Sequence, residues 1–173
     1  MDIKRLLRTI VILLILGSNI SCDQLSKTIV RQRIDYHEQI SLIGSQFILT
    51  KVENTGAFLS LGDTLPQPIR FFLLTILPIL VLAIGFIYVL IKKGQSRLMT
   101  VGLSFLIGGG VGNIYDRIVY GSVTDFMHMD FVVFRTGVFN MADVSIMVGM
   151  GMVLLDSFLK SRVPVPERLN TND

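Results

Sequence analysis

The sequence predicts an all-α membrane protein in which four transmembrane helices carry a small extramembrane β platform on their outer side. Three observations lead there. Of 173 residues, 51% are hydrophobic and 17% charged, and the mean hydropathy is +0.63. An ordinary soluble domain carries about 25% charge, so this chain has too little polar surface to cover a soluble core. Second, Phe71 to Ile91 runs 21 residues without a charge. As a helix this segment spans roughly 31 Å, the thickness of a bilayer core. Third, Lys and Arg gather at the ends of apolar runs. The net charge of +3 therefore forms no patch of the kind that binds nucleic acid.

The first span is read over residues 6–22, with Arg8 near its start. The polar run Asp23-Gln24-Leu25-Ser26-Lys27 continues it in helical phase, and Asp23 and Lys27 stand acid-first at i,i+4, the favourable order for a pair on one face. A second reading takes Lys4-Arg5 as a positive leader, Ile10 to Gly17 as its apolar stretch and Ser21-Cys22 as a processing site, so that the span would be removed. Asn19, three residues before Cys22, and the in-phase polar run favour a retained helix. From Lys27 to Glu38 a charged, helix-compatible stretch is expected along the surface, with a poor end at Asp35-Tyr36-His37. Residues 39–61 alternate β-branched and aromatic with polar residues and break at Gly44 and Asn54-Thr55-Gly56, the pattern of short strands and turns.

The remaining spans are residues 71–91, 98–114 and 143–159, the last with Asp156 expected to reach the interface. Gly108 and Gly112 form a small-xxx-small pattern, and Gly102, Gly149 and Gly151 add flat surface. Close packing of the third and fourth helices on these glycines would bring Asn113 and Asp143 together. Residues 1–162 are read as one integral-membrane domain and 163–173 as a disordered tail.

Orientation follows from nine cations, Lys4, Arg5, Arg8, Lys92, Lys93, Arg97, Lys160, Arg162 and Arg168, which fall in short tails and one short turn. The positive-inside rule places those segments in the cytoplasm, and residues 23–70 and 115–140 on the outer side.

Ionisable and amide side chains at membrane depth cost several kcal/mol unless they are paired, so each needs a reason. Four clusters qualify: Asp23-Gln24-x-x-Lys27; Asn54-Thr55-Gly56-Ala57-Phe58; Gly112-Asn113-Ile114-Tyr115-Asp116-Arg117 with Gly121-Ser122-Val123-Thr124-Asp125-Phe126; and Phe139-Asn140-Met141-Ala142-Asp143. All four converge on the outer membrane surface. The chemistry open to them is narrow. Cys22 is the single cysteine and reads as a small apolar residue at a helix interface, while His37 and His128 read as solvated. Neither histidine accompanies a nucleophile elbow, and the two have no zinc spacing. Asp125, Asp143 and Asn140 would suit a hard cation only loosely, since no loop has the oxygen spacing of a calcium site. No metal or cofactor is expected.

Carboxylate chemistry remains. Two neighbouring aspartates share one proton, and such a pair hydrolyses a peptide bond by activating water. The candidates are Asp23, Asp116, Asp125 and Asp143. Asp23 has a local partner in Lys27, Asp116 has one in Arg117, and Asp143 also reads as a helix cap. Asp125 has no adjacent partner and lies in the apolar-leaning run Val123 to Val133. A small transporter would line several spans with polar groups, but the span at 71–91 has no charge; a structural subunit would need no paired aspartates.

These motifs together, Asp23-Gln24-x-x-Lys27, Asn54-x-Gly56-Ala57, Gly112-Asn113-x-x-Asp116-Arg117-x-x-x-Gly121-x-Val123-x-Asp125-Phe126 and Phe139-Asn140-x-Ala142-Asp143, resemble those of the lipoprotein signal peptidases, or signal peptidase II. The resemblance runs from residue 23 to 143. It implies a four-span aspartyl peptidase of the bacterial cytoplasmic membrane that cuts diacylglyceryl-modified prolipoproteins before the lipidated cysteine. It makes Asp125 and Asp143 the catalytic pair, with Asp116 in reserve. Asn113, Arg117 and Asn140 become dyad support, and Asn54 and Gly56 part of the β platform. Asp23 and Lys27 become a structural or substrate-facing pair. The implied partners are the prolipoprotein and membrane lipid, and the chain is expected to act as a monomer. Thr124 departs from the family pattern, standing where an apolar residue is common.

Overall fold

The computed structural model describes residues 3–44, 46–57, 62–131 and 134–162, so the expected disordered tail lies outside the described residues. Four helices are long and apolar enough to cross a membrane: α1 (Ile3–Arg33), α2 (Gln67–Ile91), α3 (Arg97–Val119) and α4 (Met141–Ser161). A four-stranded antiparallel sheet, in the order β1-β2-β3-β4, sits at one end of them. Its strands are β1 (Gln39–Ile43), β2 (Phe47–Asn54), β3 (Val123–Phe131) and β4 (Phe134–Arg135).

Helix α1 runs unbroken to Arg33, so the helix-compatible stretch expected along the surface from Lys27 to Glu38 is, as far as Arg33, the continuation of the first span. Its inward stripe explains why. Ile12, Leu16, Asp23, Lys27 and Val30 are buried at helical spacing, so one continuous face changes from apolar to charged to apolar. The helix stops where the Asp35-Tyr36-His37 turn begins, with His37 at φ 72°. Cys22 lies off this stripe and is exposed, not at a helix interface.

In α2 the turn Phe72–Ile76 is a π-helix, immediately ahead of Pro78. Proline has no N–H for the ladder and crowds the preceding turn, which a widened turn relieves. Ser96 caps α3, its Oγ accepting from the Met99 N–H at 3.0 Å and donating to Asp156. Asp156 is thereby buried against the start of α3, with Lys160 Nζ at 2.5 Å, level with the end of that span.

The glycines let helices touch, but not in the expected arrangement. A Cβ on Gly102 would lie 2.9 Å from the Gly149 carbonyl oxygen, and one on Gly109 would collide with that of Ala142, so these residues form the α3–α4 contact. Gly108 and Gly112 instead face α1, where a Cβ would meet Asn19 at 2.9 Å and Asp23 at 2.5 Å. Gly151 meets nothing within 4 Å.

The bundle core is small: Ile12, Leu16, Val89 and Ile107. Large side chains such as Leu14, Ile84, Met147 and Leu154 point outward, more than 60% exposed, a surface that suits lipid and not water. A second cluster, Val30, Ile34, Phe126 and Met127, fastens the sheet to the end of α1. The partner strand of β2 is β3, from the distant 115–140 region, with Asn54 opposite Val123 and Glu53 opposite Thr124. This strand is absent from the sequence reading. Its near-continuous burial over Val123–Met127 leaves little of the alternation by which a half-exposed strand is recognised.

Candidate active site

Three elements meet under the sheet: the end of β2, the start of β3 and the first turn of α4, all resting on the C-terminal halves of α1 and α3. They enclose a cavity of about 260 Å³ lined by Asp125, Asp143, Asn54, Asn113, Arg117, Ala57, Leu74, Pro78, Gly110, Ile114, Val123, Val138 and Ile146. Five of the residues singled out in the sequence thus border one space.

Asp125 is 4% exposed, and each of its oxygens accepts one amide hydrogen bond. Asn140 Nδ2 donates to Oδ1 at 2.6 Å and Asn54 Nδ2 to Oδ2 at 2.9 Å. Burial pushes its carboxyl up to about 6, and the charge of Asp143 acts in the same direction, while the Asn54 and Asn140 donors oppose both. Asp143 Oδ1 accepts from Asn113 Nδ2 at 3.0 Å. Its Oδ2 accepts from the Asn140 backbone N–H at 3.0 Å, and its own N–H donates to Asn140 Oδ1 at 3.0 Å, completing a capping box at the start of α4. Asp143 is thus both a helix cap and a cavity wall. Helix packing also delivers the Asn113–Asp143 contact expected from the sequence, although the glycine face responsible is Gly102 and Gly109.

The polarity of this network is set from behind. Lys27 Nζ can only donate, and it donates to Asn113 Oδ1 at 2.9 Å. That fixes the carbonyl end of Asn113 toward Lys27 and its NH2 toward Asp143. Asn140 Oδ1 is taken by the Asp143 N–H, so its NH2 must face outward, spanning Asn113 Oδ1 at 3.1 Å and Asp125. Every amide donor near the two cavity carboxyls is therefore aimed at them.

Asp23, Lys27 and Asp116 are fully buried and lie outside the cavity lining. Lys27 Nζ stands 2.8 Å from Asp23 and 3.1 Å from Asp116, and Arg31 lies 2.9 Å from Asp116. Asp116 is thus paired with cations of α1 and not with Arg117. Adjacent residues of a helix point about 100° apart, so a sequence neighbour is a poor partner. Asp23 Oδ1 also accepts from the Ala142 N–H at 2.9 Å, which ties α1 to the first turn of α4. Arg117 donates to the Gly56 carbonyl at 2.9 Å and so holds the loop after β2; Gly56 itself donates to Asn54 Oδ1 at 3.0 Å.

Arg31 and Glu53 escaped the sequence reading, and Gln24 and Thr124 were given no partner there. Gln24 Nε2 donates to Asp116 Oδ1 at 3.1 Å, Arg31 Nε donates to Thr124 Oγ1 at 2.8 Å, and Thr124 Oγ1 donates to Glu53 at 2.8 Å. The signal for Arg31 was its place four residues after Lys27 and eight after Asp23 on one face. Thr124 has a local reason to depart from an apolar residue, because its hydroxyl bridges a guanidinium and a carboxylate. His128 is half-buried on β3, and its Nδ1 has no partner among the described residues.

A family model described as signal peptidase (SPase) II matches residues 11–159. The chain belongs to the signal peptidase II family. The lipoprotein signal peptidase of Brevibacillus brevis is 36% identical over 143 residues, covering 83% of this chain and 91% of that protein. That of Streptococcus pneumoniae is 35% identical over 161 residues, covering 92% and 97%. A solved structure described as a bacterial membrane enzyme, determined by the in meso method at 2.3 Å, superposes with TM-score 0.81 over 92% of this chain and 94% of its own. At 23% identity it speaks for the fold. As a signal peptidase II the chain is an aspartic peptidase of a bacterial membrane that cleaves the signal peptides of prolipoproteins.

Proposed function

We propose that Asp125 and Asp143 are the catalytic dyad and that the cut falls before the lipidated cysteine of a diacylglyceryl-modified prolipoprotein. One observation carries this reading: of the four aspartates at this level, these two alone border the cavity, and their direct hydrogen-bond donors are neutral N–H groups. Asp125, with its carboxyl raised to about 6, holds the shared proton and donates it to the scissile carbonyl oxygen. Asp143 takes a proton from water as the water oxygen attacks the carbonyl carbon. On collapse of the tetrahedral intermediate the C–N bond breaks, and the proton held by Asp143 passes to the leaving cysteine amine; Asp125 recovers its own. Asn113, Asn140 and Asn54 hold the two carboxyls in register, and Arg117 fixes Gly56 at the rim. Removing Arg117 or Asn140 is expected to lower rate and stability together.

The lipid holds the substrate cysteine at the membrane surface, which is where the dyad must lie. We infer an outer-face site, cytoplasmic termini and a monomer from the distribution of Lys and Arg and from the completeness of the site within one chain. The test is cleavage in detergent of a diacylglyceryl-modified prolipoprotein by the wild type, Asp125→Asn and Asp143→Asn, read as a gel shift. The wild type should cut and both variants should be inert while still folding, seen as a cooperative thermal transition. Cleavage surviving either substitution removes that residue from the dyad.

A further inference from the structure

At the other end of the bundle a cavity of about 770 Å³ opens between the first turns of α1 and the last turn of α2, and nothing in the peptidase chemistry uses it. It lies far from the dyad: Arg5 and Lys27 are 22 residues apart on α1, roughly 33 Å along the helix. Its lining includes Lys4, Arg5, Arg8 and Lys93 and, among the described residues, no acidic residue, with Leu6 and Leu90 among its apolar walls.

The four cations are not equivalent. Arg8 donates to the Val89 carbonyl at 2.7 Å, to that of Lys92 at 2.8 Å and to Gln95 Oε1 at 2.5 Å. These bonds satisfy the open carbonyls at the end of α2 and pin α2 to α1, so Arg8 is a brace that gives the cavity fixed walls. Arg5 and Lys93 make no hydrogen bond or ion pair with the described residues. They stand on opposite walls, one at the start of α1 and the other just past α2. A guanidinium and an ammonium across a braced cleft match a phosphate diester, which takes two parallel N–H bonds from Arg and a point charge from Lys. Beside the cations, Leu6 of α1 and Ile91 of α2 line the cleft, are 41% and 70% exposed, and offer acyl chains an apolar surface.

We propose that this cleft binds the headgroup of an anionic phospholipid, with the phosphate between Arg5 and Lys93 and the acyl chains along α1 and α2. Free phosphate would satisfy the cations but leave the apolar walls uncovered, so the lipid is the better fit.

The test uses the whole protein in a neutral detergent, titrated separately with phosphatidylglycerol, phosphatidylcholine and sodium phosphate and read by native mass spectrometry and by unfolding temperature. Phosphatidylglycerol should add one molecule per chain and raise the unfolding temperature; the other two should do neither. The double variant Arg5→Gln with Lys93→Gln should weaken that binding about tenfold or more, since it removes both charges that face the phosphate. Lys92→Gln with Arg97→Gln, which removes the same charge outside the cleft, should bind as the wild type does. Prolipoprotein cleavage in detergent should be unchanged in both variants. Equal binding of phosphatidylcholine, an equal shift with phosphate alone, or equal loss in the two double variants would each overturn the site.

Discussion

Four aspartates meet at one level of this protein and are treated in two opposite ways. Asp23 and Asp116 are bonded directly by cations, Lys27 at 2.8 and 3.1 Å and Arg31 at 2.9 Å, so two fully buried carboxylates face two positive charges. Among the described residues Asp125 and Asp143 receive only amide N–H groups, at 2.6 to 3.0 Å, and open onto the cavity. The counter-group decides the role of the carboxyl. A carboxylate locked to an ammonium is a tie between helices, whereas one held by neutral donors is positioned and still able to exchange a proton. Asn113 joins the two pairs, its oxygen on Lys27 and its nitrogen on Asp143.

The largest expected effect separates chemistry from folding. Asp125→Asn or Asp143→Asn should lower cleavage by at least about 10³-fold, the scale of a lost acid or base, with little change in stability. Asp116→Asn should do the reverse. It leaves Lys27 and Arg31 short of one buried negative charge, a break that costs about 3–5 kcal/mol. For a chain of this size that lowers the unfolding temperature by about 10 °C. Thermal unfolding in detergent beside the cleavage assay reads both. An Asp116→Asn protein of unchanged stability and no activity would move Asp116 into the dyad.

Much of this division was legible in the sequence, and what was not has definite physical causes. The uncharged run at 71–91 marks its helix directly, and α2 differs only by four further residues at its start. Asp125 stood out because no charged neighbour accompanied it in an apolar run, and in the fold it is buried, with its direct hydrogen bonds from the amides of Asn54 and Asn140 and with Asp143 and Arg117 on the same cavity. The full length of α1 was hidden because hydropathy falls where the inward stripe turns charged; the helix persists there on buried ion pairs. The partner of Asp116 was misread as Arg117 because adjacency along the chain is not adjacency on a helix. The glycine faces of α3 were assigned to one neighbour when the helix has three, and sequence spacing alone does not say which neighbour each face meets.

A smaller effect comes from disturbing the cation-held pair by shape alone. In Gly112→Ala the new methyl would lie 2.5 Å from Asp23 Oδ2, in the position Asp23 needs to reach Lys27. Overpacking of this kind costs typically about 1–3 kcal/mol. Gly151→Ala, which meets nothing within 4 Å, should be neutral or slightly stabilising through its helix propensity. Equal unfolding temperatures for the two variants would show that Asp23 can shift without loss, and the tie would then be less rigid than its bonds imply.

The most delicate test addresses the amide-held pair. Burial raises the Asp125 carboxyl to about 6, and the Asn54 donor, which favours the ionised form, holds it below where burial and Asp143 alone would put it. The sign follows for stability and for rate. Because the folded protein binds this proton more tightly than the unfolded chain does, the contribution of Asp125 to stability is fully present below about pH 4 and is lost as pH rises through about 6. Cleavage that needs the proton on Asp125 has an alkaline limb where the dyad loses it, and that limb belongs to the pair. In Asn54→Ala the ionised form loses one donor worth about 1 kcal/mol, so the limb should move to higher pH by somewhat under one unit. The profile of kcat/KM against pH for the two proteins checks this, and cleavage at the optimum should fall only modestly. A limb that stayed in place or moved to lower pH would mean that the titrating proton is not held on Asp125, and the acid and base assignments within the dyad would exchange.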